Sequence, residues 1–390
     1  NNRFNFGVNA TSLPNYINNI DISNTINGKP IHYWIKQNDQ KVPSNIGYIA
    51  LIDCANITIQ NLEISKNYNG LLIAHSTNIT LVNNIILENY EGIRIDHCLD
   101  CNLRENSMQN NIYNFGLTGR FSNSIDTSNT VNEKQLIYWI NQHEKIVPNN
   151  SGLVILINCS GIIVQNLSLS NNGQGVFLYN TTNSMITQNT ITYNNCVIEI
   201  FRSRNNTITK NFINNNINNG ITIIVSKEND FYNNTIVSNK GDGIYLCASS
   251  NNQIRANNIT NNACGIRFQN NTITNTTYNM VTENNIVRNG IFIFIQYQGA
   301  YNNTLYHDNF VNNTKQLFVS ILIPGNSPMI VTGSGLTMLG ITKNFWDNGS
   351  EGNYWSDYAG ADTNQDGIGD TACRIRNTDY DYYPLMDPFN

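Results

Sequence analysis

Glycine followed by a short alternating run of apolar residues recurs along most of the chain. Gly70, Gly92, Gly152, Gly175, Gly220, Gly243, Gly265 and Gly290 each open such a run, as in GIRID, GVFLY, GITII and GIYLC. A polar turn follows, then a second short run of the form NNTITKN or NNQIRAN, then a third of two or three residues. Period-two alternation over so few residues predicts strands, and the Asn- and Gly-rich intervals predict tight turns. One unit of about 22 residues, repeated from Ile46 to about Asn313, therefore holds three short strands. Strands this short cannot bury a face alone, so the units must stack on one another. The chain reads as all-β: a right-handed parallel β-helix, a solenoid of about ten well-marked turns and ~50 Å in its repeated part at ~4.8 Å per turn.

Aligning the units places Asn61, Asn83, Asn166, Asn189, Asn211, Asn234, Asn257 and Asn284 in one column after the second strand. Asn tolerates left-handed backbone and its amide can bond the amide one turn away, which predicts an inward Asn ladder along the stack. A larger period lies on top. Residues 20 to about 112 resemble 125 to about 213 at an offset of 105, matching Trp34 with Trp139, Pro43 with Pro148, Gly47 with Gly152 and Cys54 with Cys159. The chain is thus a tandem duplication. Each copy opens with a stretch that breaks the rhythm, PIHYWIKQNDQKVP and QLIYWINQHEKIVP. These read as polar-tipped hairpins leaving the wall, with Tyr33-Trp34 and Tyr138-Trp139 placed to plug the coil or to meet a partner, plugging being the first reading. The expected division is 1–45 as N-terminal cap and first hairpin, 46–316 as β-helix interrupted by a 113–150 excursion, and 317–390 as C-terminal cap. Caps are expected because a bare end would expose unpaired strand groups.

Composition narrows the function classes. Asn and Ile supply 76 and 53 of the 390 residues, and only 13% are charged, where ordinary domains have about 25%. A net charge of -5 excludes a strongly basic nucleic-acid binder. No apolar run approaches the ~20 residues of a membrane span. The chain starts at Asn1 without a signal-peptide pattern, so an extracellular location requires a signal that has been removed or left out of this sequence. The eight cysteines are spaced as small buried apolar residues rather than as a disulfide framework, and Cys98-x-x-Cys101 is a lone pair.

Three clusters carry candidate chemistry. In the tail, Asp362, Asn364 and Asp366 at alternate positions, Gly367, the Ile368 carbonyl and Asp370 match most of a calcium loop. Position 12 is Cys373, so Asp357, Asp379 or Asp381 would have to complete the sphere. One calcium ion is the expected cofactor. Asp53, His75 and His97 form a column beside Cys54, Ser76 and Cys98 and could hold copper or zinc; the second copy has Asn158 and Asn180 there, so a stack of polar turn residues is the default. Glu199, Arg202 and Arg204 come nearest to a catalytic constellation, but without a stacked carboxylate pair they read as a surface salt bridge, and no catalytic residue is assigned. Asn-x-Ser/Thr sequons abound, at Asn9, Asn56, Asn78, Asn149, Asn180, Asn205, Asn233, Asn270, Asn275, Asn302, Asn312 and Asn348. Asn166 is a further one, set in the inward ladder where no glycan would fit.

These repeats, with the tail NFWDNGSEGNYWSDYAGADTNQDGIGD and DYYPL, resemble the NosD-type family of parallel β-helix surface and periplasmic proteins. The resemblance implies the fold of carbohydrate-binding and sugar-hydrolase domains, and the sequon-rich style is similar to large archaeal cell-surface proteins. The first reading of function is a non-enzymatic extracellular structural protein, self-assembling into a surface layer, sheath or filament. The alternative is a polysaccharide-binding or polysaccharide-modifying protein with Tyr68 and Tyr90 as a sugar platform. Self-association rests on the uncharged segment LFVSILIPGNSPMIVTGSGLTMLGIT, read as a hairpin around Pro324-Gly325-Asn326 followed by another strand, which must either pack on the helix end or meet a second copy; the low charge density of the chain favours contact between copies.

Overall fold

The computed structural model describes residues 2–271, 273–296, 299–321, 329–330, 343–375 and 379–389. Apart from one helical turn at Leu13–Tyr16, its regular structure is strand. Three walls run through each copy. In copy one the long strands Tyr48–Ile52, Asn69–Ala74, Glu91–Asp96 and Tyr113–Thr118 stack in parallel. In the second stack, which opens with copy two, runs on past the duplicated residues and is called copy two as a whole below, the equivalent wall runs from Lys134–Ile140 through Ser151–Ile157, Gln174–Tyr179 and Cys196–Phe201 to Lys315–Ile321. Short strands such as Thr207–Thr209 and Phe212–Asn214 build the other two walls. The chain is a parallel β-solenoid, its register advancing by the repeat length, as in Leu71 opposite Ile93 opposite Phe115.

Side chains that alternate inward form a continuous apolar core, with Ile186, Ile208, Phe231, Ile254 and Val281 fully buried in one column of copy two. The repeated glycines sit where a strand enters this core. A Cβ on Gly243 would lie 2.4 Å from Ile259 Cγ2, and one on Gly70 would lie 2.5 Å from Ile86 Cγ2. Only glycine clears these neighbours.

Buried asparagines line the corners, in a register that corrects the expected ladder. Asn189, Asn211, Asn234, Asn257 and Asn284 do form one inward column, each backbone N–H donating to the next side-chain oxygen at 2.9–3.1 Å. Asn61, Asn83 and Asn166 do not belong to it. They stand one residue earlier, exposed, with φ of 54°, 51° and 56°, and in copy one the ladder runs instead through Asn84, Asn106 and Asn129. Asn166 is therefore an exposed sequon. The other twelve are exposed too, except half-buried Asn270 and Asn302. A second ladder runs from Asn172 to Asn313 and a third from Asn206 to Asn344. Cys54, Cys98 and Cys159 occupy a corner column shared with Ser76, Thr181 and Ser203, their thiols donating to carbonyls as the hydroxyls do. No disulfide joins any of the eight cysteines among the described residues.

The two stretches expected to leave the wall are part of it. Lys29–Ile35 pairs in parallel with Tyr48–Ile52, and Asn38–Lys41 with the strand at Ala55. Residues 113–150 continue the coil through Tyr113–Thr118, Ser124–Ile125 and Thr130–Val131. Thr130–Val131 then reverses into Lys134–Gln135, so the third wall of copy one continues as the first wall of copy two. The reason is that Leu136, Ile137 and Tyr138 on both faces of this strand need cover, and all are buried. Trp34 and Trp139 lie partly buried against the core of their copies, as plugs would.

Residues 2–20 are less an end cap than a strap over the outer face of the copy-one wall. Asn5 N–H donates to Lys66 O at 2.7 Å, Tyr68 N–H to Phe6 O at 2.8 Å, and Val8 N–H to Asn69 Oδ1 at 3.0 Å. Beneath it Tyr48, Ala50, Ile52, Leu72 and Ala74 are fully buried, each large side chain gaining about 1.5–3 kcal/mol. Copy two repeats the device with the last turn of copy one. Tyr33 donates its hydroxyl to Tyr16 O, and its counterpart Tyr138 donates to Phe121 O. At the far end Trp355 stacks on Phe310 at 4.5 Å and closes the core with Trp346. Lys315–Ile321 pairs antiparallel with Met329–Ile330; the expected hairpin around Pro324-Gly325-Asn326 lies outside the described residues.

Candidate functional site

The duplication presents one turn of the coil twice with different chemistry. In copy one the column after the long strand holds Asp53, His75 and His97, all left-handed at φ of 53°, 51° and 54°. The backbone N–H of each donates to a carbonyl one turn on, Ala74, Asp96 and Thr118 respectively. In copy two the positions 105 residues later are Asn158, Asn180 and Arg202, at φ of 53°, 48° and 51°. The shared backbone shows that the turn accepts many polar side chains, so the chemistry is set by which ones are present.

In copy one the imidazoles of His75 and His97 stack at 5.1 Å and 7°. The carboxylate that joins them is Asp96 and not Asp53 as expected: His75, Asp96 and His97 bring ligand atoms within 4.8 Å of one another. Asp96 ends the strand with its side chain on the outer face, beneath the strap. Its Oδ1 lies 2.7 Å from His97 Nδ1 and accepts from Thr118 Oγ1 at 2.5 Å, and its Oδ2 lies 2.7 Å from the Tyr16 hydroxyl. Burial alone would raise this carboxyl, but the bonds from Thr118, Tyr16 and His97 outweigh it and hold Asp96 below its ordinary range. Burial, then the bond to Asp96, pushes the Tyr16 phenol up. Arg94, two residues before, donates to Asn9 Oδ1 at 2.9 Å and Ala10 O at 3.0 Å. It therefore holds the strap instead of facing solvent. Gly119 ends the column at φ 86°, where a Cβ would lie 2.6 Å from the His97 ring.

In copy two the column opens on a groove of about 440 Å³ lined by His143, Asn158, Ser160, Asn180, Thr182, Arg202, Arg204 and Lys227 among others. Parallel bridges carry Ser160, Thr182, Arg204 and Lys227 in successive turns, which brings cations distant in sequence into one row. Arg202, Arg204, Lys227 and His143 are exposed, and no carboxylate lines the groove. Glu228, outside it, approaches Lys227 at 3.5 Å with both half-exposed. Beside the row Tyr179 and Phe201 stack at 5.6 Å and 15°, and the Arg202 guanidinium lies 5.3 Å from the Phe201 centroid. Glu199 does not pair with these arginines. Burial raises its carboxyl, and its partners are the side chains of Cys196 and Gln174; it makes no ion pair among the described residues.

The remaining candidates fall as follows. Tyr68 and Tyr90 stack at 4.6 Å, with Phe4 and Tyr113 edge-on to Tyr90. Their faces serve strap packing rather than an open platform. In the tail loop Asp362 accepts from Asp366 N–H at 3.2 Å and Gly367 N–H at 2.9 Å, while Asp370 accepts from Thr363 N–H at 2.8 Å. Asn364 Oδ1 accepts from Asp366 N–H at 3.2 Å, and Ile368 bridges to Leu385. Asp381 is not available to complete that loop: its Oδ2 accepts from Asn353 N–H at 2.7 Å and Trp355 Nε1 at 2.8 Å at the end of the Asn ladder.

Among the described residues no helix is long and apolar enough to cross a membrane. No curated protein sequence matches the chain. Among solved structures it is similar to the AlgE4 A-module of the Azotobacter vinelandii mannuronan C-5 epimerase, at 11% identity and TM-score 0.40 over 78% of this chain and 92% of that one. The Dettilon tailspike protein matches at 12% identity and TM-score 0.40 over 74% and 60%, and the periplasmic alginate epimerase AlgG at 14% and 0.32 over 70% and 78%. At these TM-scores none of the likenesses bears on function. The family model described as "Periplasmic copper-binding protein (NosD)" matches residues 9–219, 140–279 and 219–360. With nearly the whole chain covered, the protein belongs to the NosD family.

Proposed function

We propose that the protein is an exported β-solenoid of periplasmic or extracellular location that binds an acidic polysaccharide along the copy-two turn column. The observation that carries this reading is the groove itself. On a chain of net charge -5, Arg202, Arg204, Lys227 and His143 line one concavity without a lining carboxylate. Guanidinium groups favour carboxylates through paired, charge-assisted hydrogen bonds. Successive turns at ~4.8 Å repeat those groups along a line, as a polymer repeats its acid groups. The adjacent Tyr179–Phe201 stack adds an amphipathic edge of the kind that receives a sugar face. This places glycan binding ahead of the self-assembling scaffold. Self-association, and a structural calcium ion held by Asp362, Asn364, Asp366, Ile368 and Asp370, stay as separate proposals.

The test is affinity electrophoresis through gels containing a polyuronate or a neutral glucan, with the polymer also assayed for released product. The polyuronate should retard the protein, less at high salt, and Arg202→Ala/Arg204→Ala/Lys227→Ala should weaken this about tenfold or more. Equal retardation by neutral glucan, or a triple variant that binds like wild type, would overturn the proposal. Product release would add catalysis to binding. The family name also brings copper, and one described donor set fits that ion: the two imidazoles and the carboxylate of the copy-one column.

A further inference from the structure

We infer that the copy-one column is a binding site for one divalent transition-metal ion of borderline softness, cupric or zinc, held by the imidazoles of His75 and His97, with Asp96 as the carboxylate that orients His97. The inference stands apart from the glycan reading and rests on different residues.

Three observations carry it. First, the left-handed turn and the inter-turn backbone bonds fix the two histidines one above the other, so their rings are held parallel at 5.1 Å before any ion arrives. Second, His75 Nε2 is buried and has no hydrogen-bond partner among the described residues. Leaving a buried nitrogen unpaired is unfavourable, and an ion would satisfy it. Third, every oxygen of Asp96 is already engaged, Oδ1 by His97 and Thr118 and Oδ2 by Tyr16. A carboxylate so placed fixes the tautomer and ring angle of a ligating histidine, as second-shell carboxylates do in metal sites. Nitrogens bound at ~2.0–2.1 Å can stand at most ~4.2 Å apart. Ligand atoms of His75, Asp96 and His97 lie within 4.8 Å of one another, and because the lone pairs of parallel rings do not converge, one imidazole turns about its side-chain bonds to share an ion with the other. Imidazole donors select against calcium and magnesium, and the affinity order places copper above zinc.

The duplication supplies the control. Copy two carries Asn180 and Arg202 on the same left-handed turn, so His75→Asn/His97→Arg replaces the donors with residues this backbone is seen to accommodate. Wild-type protein, titrated calorimetrically with Cu2+, Zn2+ or Ca2+ alone, should take up one equivalent of copper, with zinc competing and calcium giving no heat. The cupric electron paramagnetic resonance spectrum should show hyperfine lines from two imidazole nitrogens. The double variant should lose this signal and bind about 100-fold more weakly, while His143→Ala/His307→Ala should keep it. Unchanged copper binding and spectrum in the double variant, loss of both in His143→Ala/His307→Ala, or no stoichiometric uptake by wild type would each overturn the inference.

Discussion

Asp308 occupies a position in the Asn ladder where the turns before it carry Asn, and it makes the ladder sensitive to pH. Its Oδ1 accepts from Asn284 N–H at 2.9 Å and Asn284 Nδ2 at 2.8 Å, but its buried Oδ2 has no partner among the described residues. Burial pushes this carboxyl up to about 8, against the opposing pull of the Asn284 amides. The folded state therefore holds the proton more tightly than the unfolded chain. Stability is full below the ordinary carboxyl range and is lost as pH rises through about 8. At about 1.4 kcal/mol per pH unit, the upper bound is about 4 kcal/mol lost between pH 4 and 7 and about 1 kcal/mol more by pH 9. Asp308→Asn restores the amide and removes the titration. Urea unfolding of both proteins at pH 4, 7 and 9 isolates the effect, because other groups, including Asp381, titrate alike in the two chains. The stability of the variant relative to wild type should climb across this range. A difference that stays constant within about 1 kcal/mol would show that Asp308 is not the buried, proton-holding group described.

Asn84 and Asn83 test the ladder register. Asn84→Ala leaves the buried Leu62 N–H without its acceptor at 3.1 Å and removes donors to Ile59 O and Asn106 Oδ1, for a cost of about 3–5 kcal/mol. Asn83→Gly keeps the left-handed turn and loses only an exposed amide pair, so it should cost under about 1 kcal/mol; equal midpoints in urea would refute the assignment. For the tail, chelation with EDTA should lower the melting temperature of the intact protein, and an unchanged melting temperature would remove calcium from the account.

The period and the strand pattern were legible because stacking enforces one residue type per position. The one-residue error at Asn61, Asn83 and Asn166 has a plain cause, seen best at Asn83 and Asn84: both fit a 22-residue spacing, and only the inward or outward sense of the turn separates them. The same holds for Asp96. The column of Asp53, His75 and His97 follows from the repeat, but the carboxylate beside the rings comes from the neighbouring strand end and is fixed there by Tyr16, 80 residues away. Residues 2–20 carry no repeat, so nothing in their pattern announces a strap. The stretch QLIYWINQHEKIVP reads as leaving the wall because it breaks the rhythm; the reversal just before it, at Thr130–Lys134, breaks that rhythm by moving the chain from one wall to the next. The basic row was hidden for the opposite reason. His143, Arg202, Arg204 and Lys227 meet through turn-to-turn register, whereas Glu199, close in sequence, turns to Cys196 and Gln174.

Under the proposed function one duplicated turn serves two chemistries, with copy two facing an acidic glycan. Hydrogen-exchange mass spectrometry with and without a saturating acidic oligosaccharide tests it most directly. Slowed exchange should appear in turns 158–160, 180–182, 202–204 and 225–227, and be absent from the copy-one turns at 53–55, 75–77 and 97–99. Protection of the copy-one turns instead, or an oligosaccharide that binds without slowing exchange at 202–204, would contradict the account.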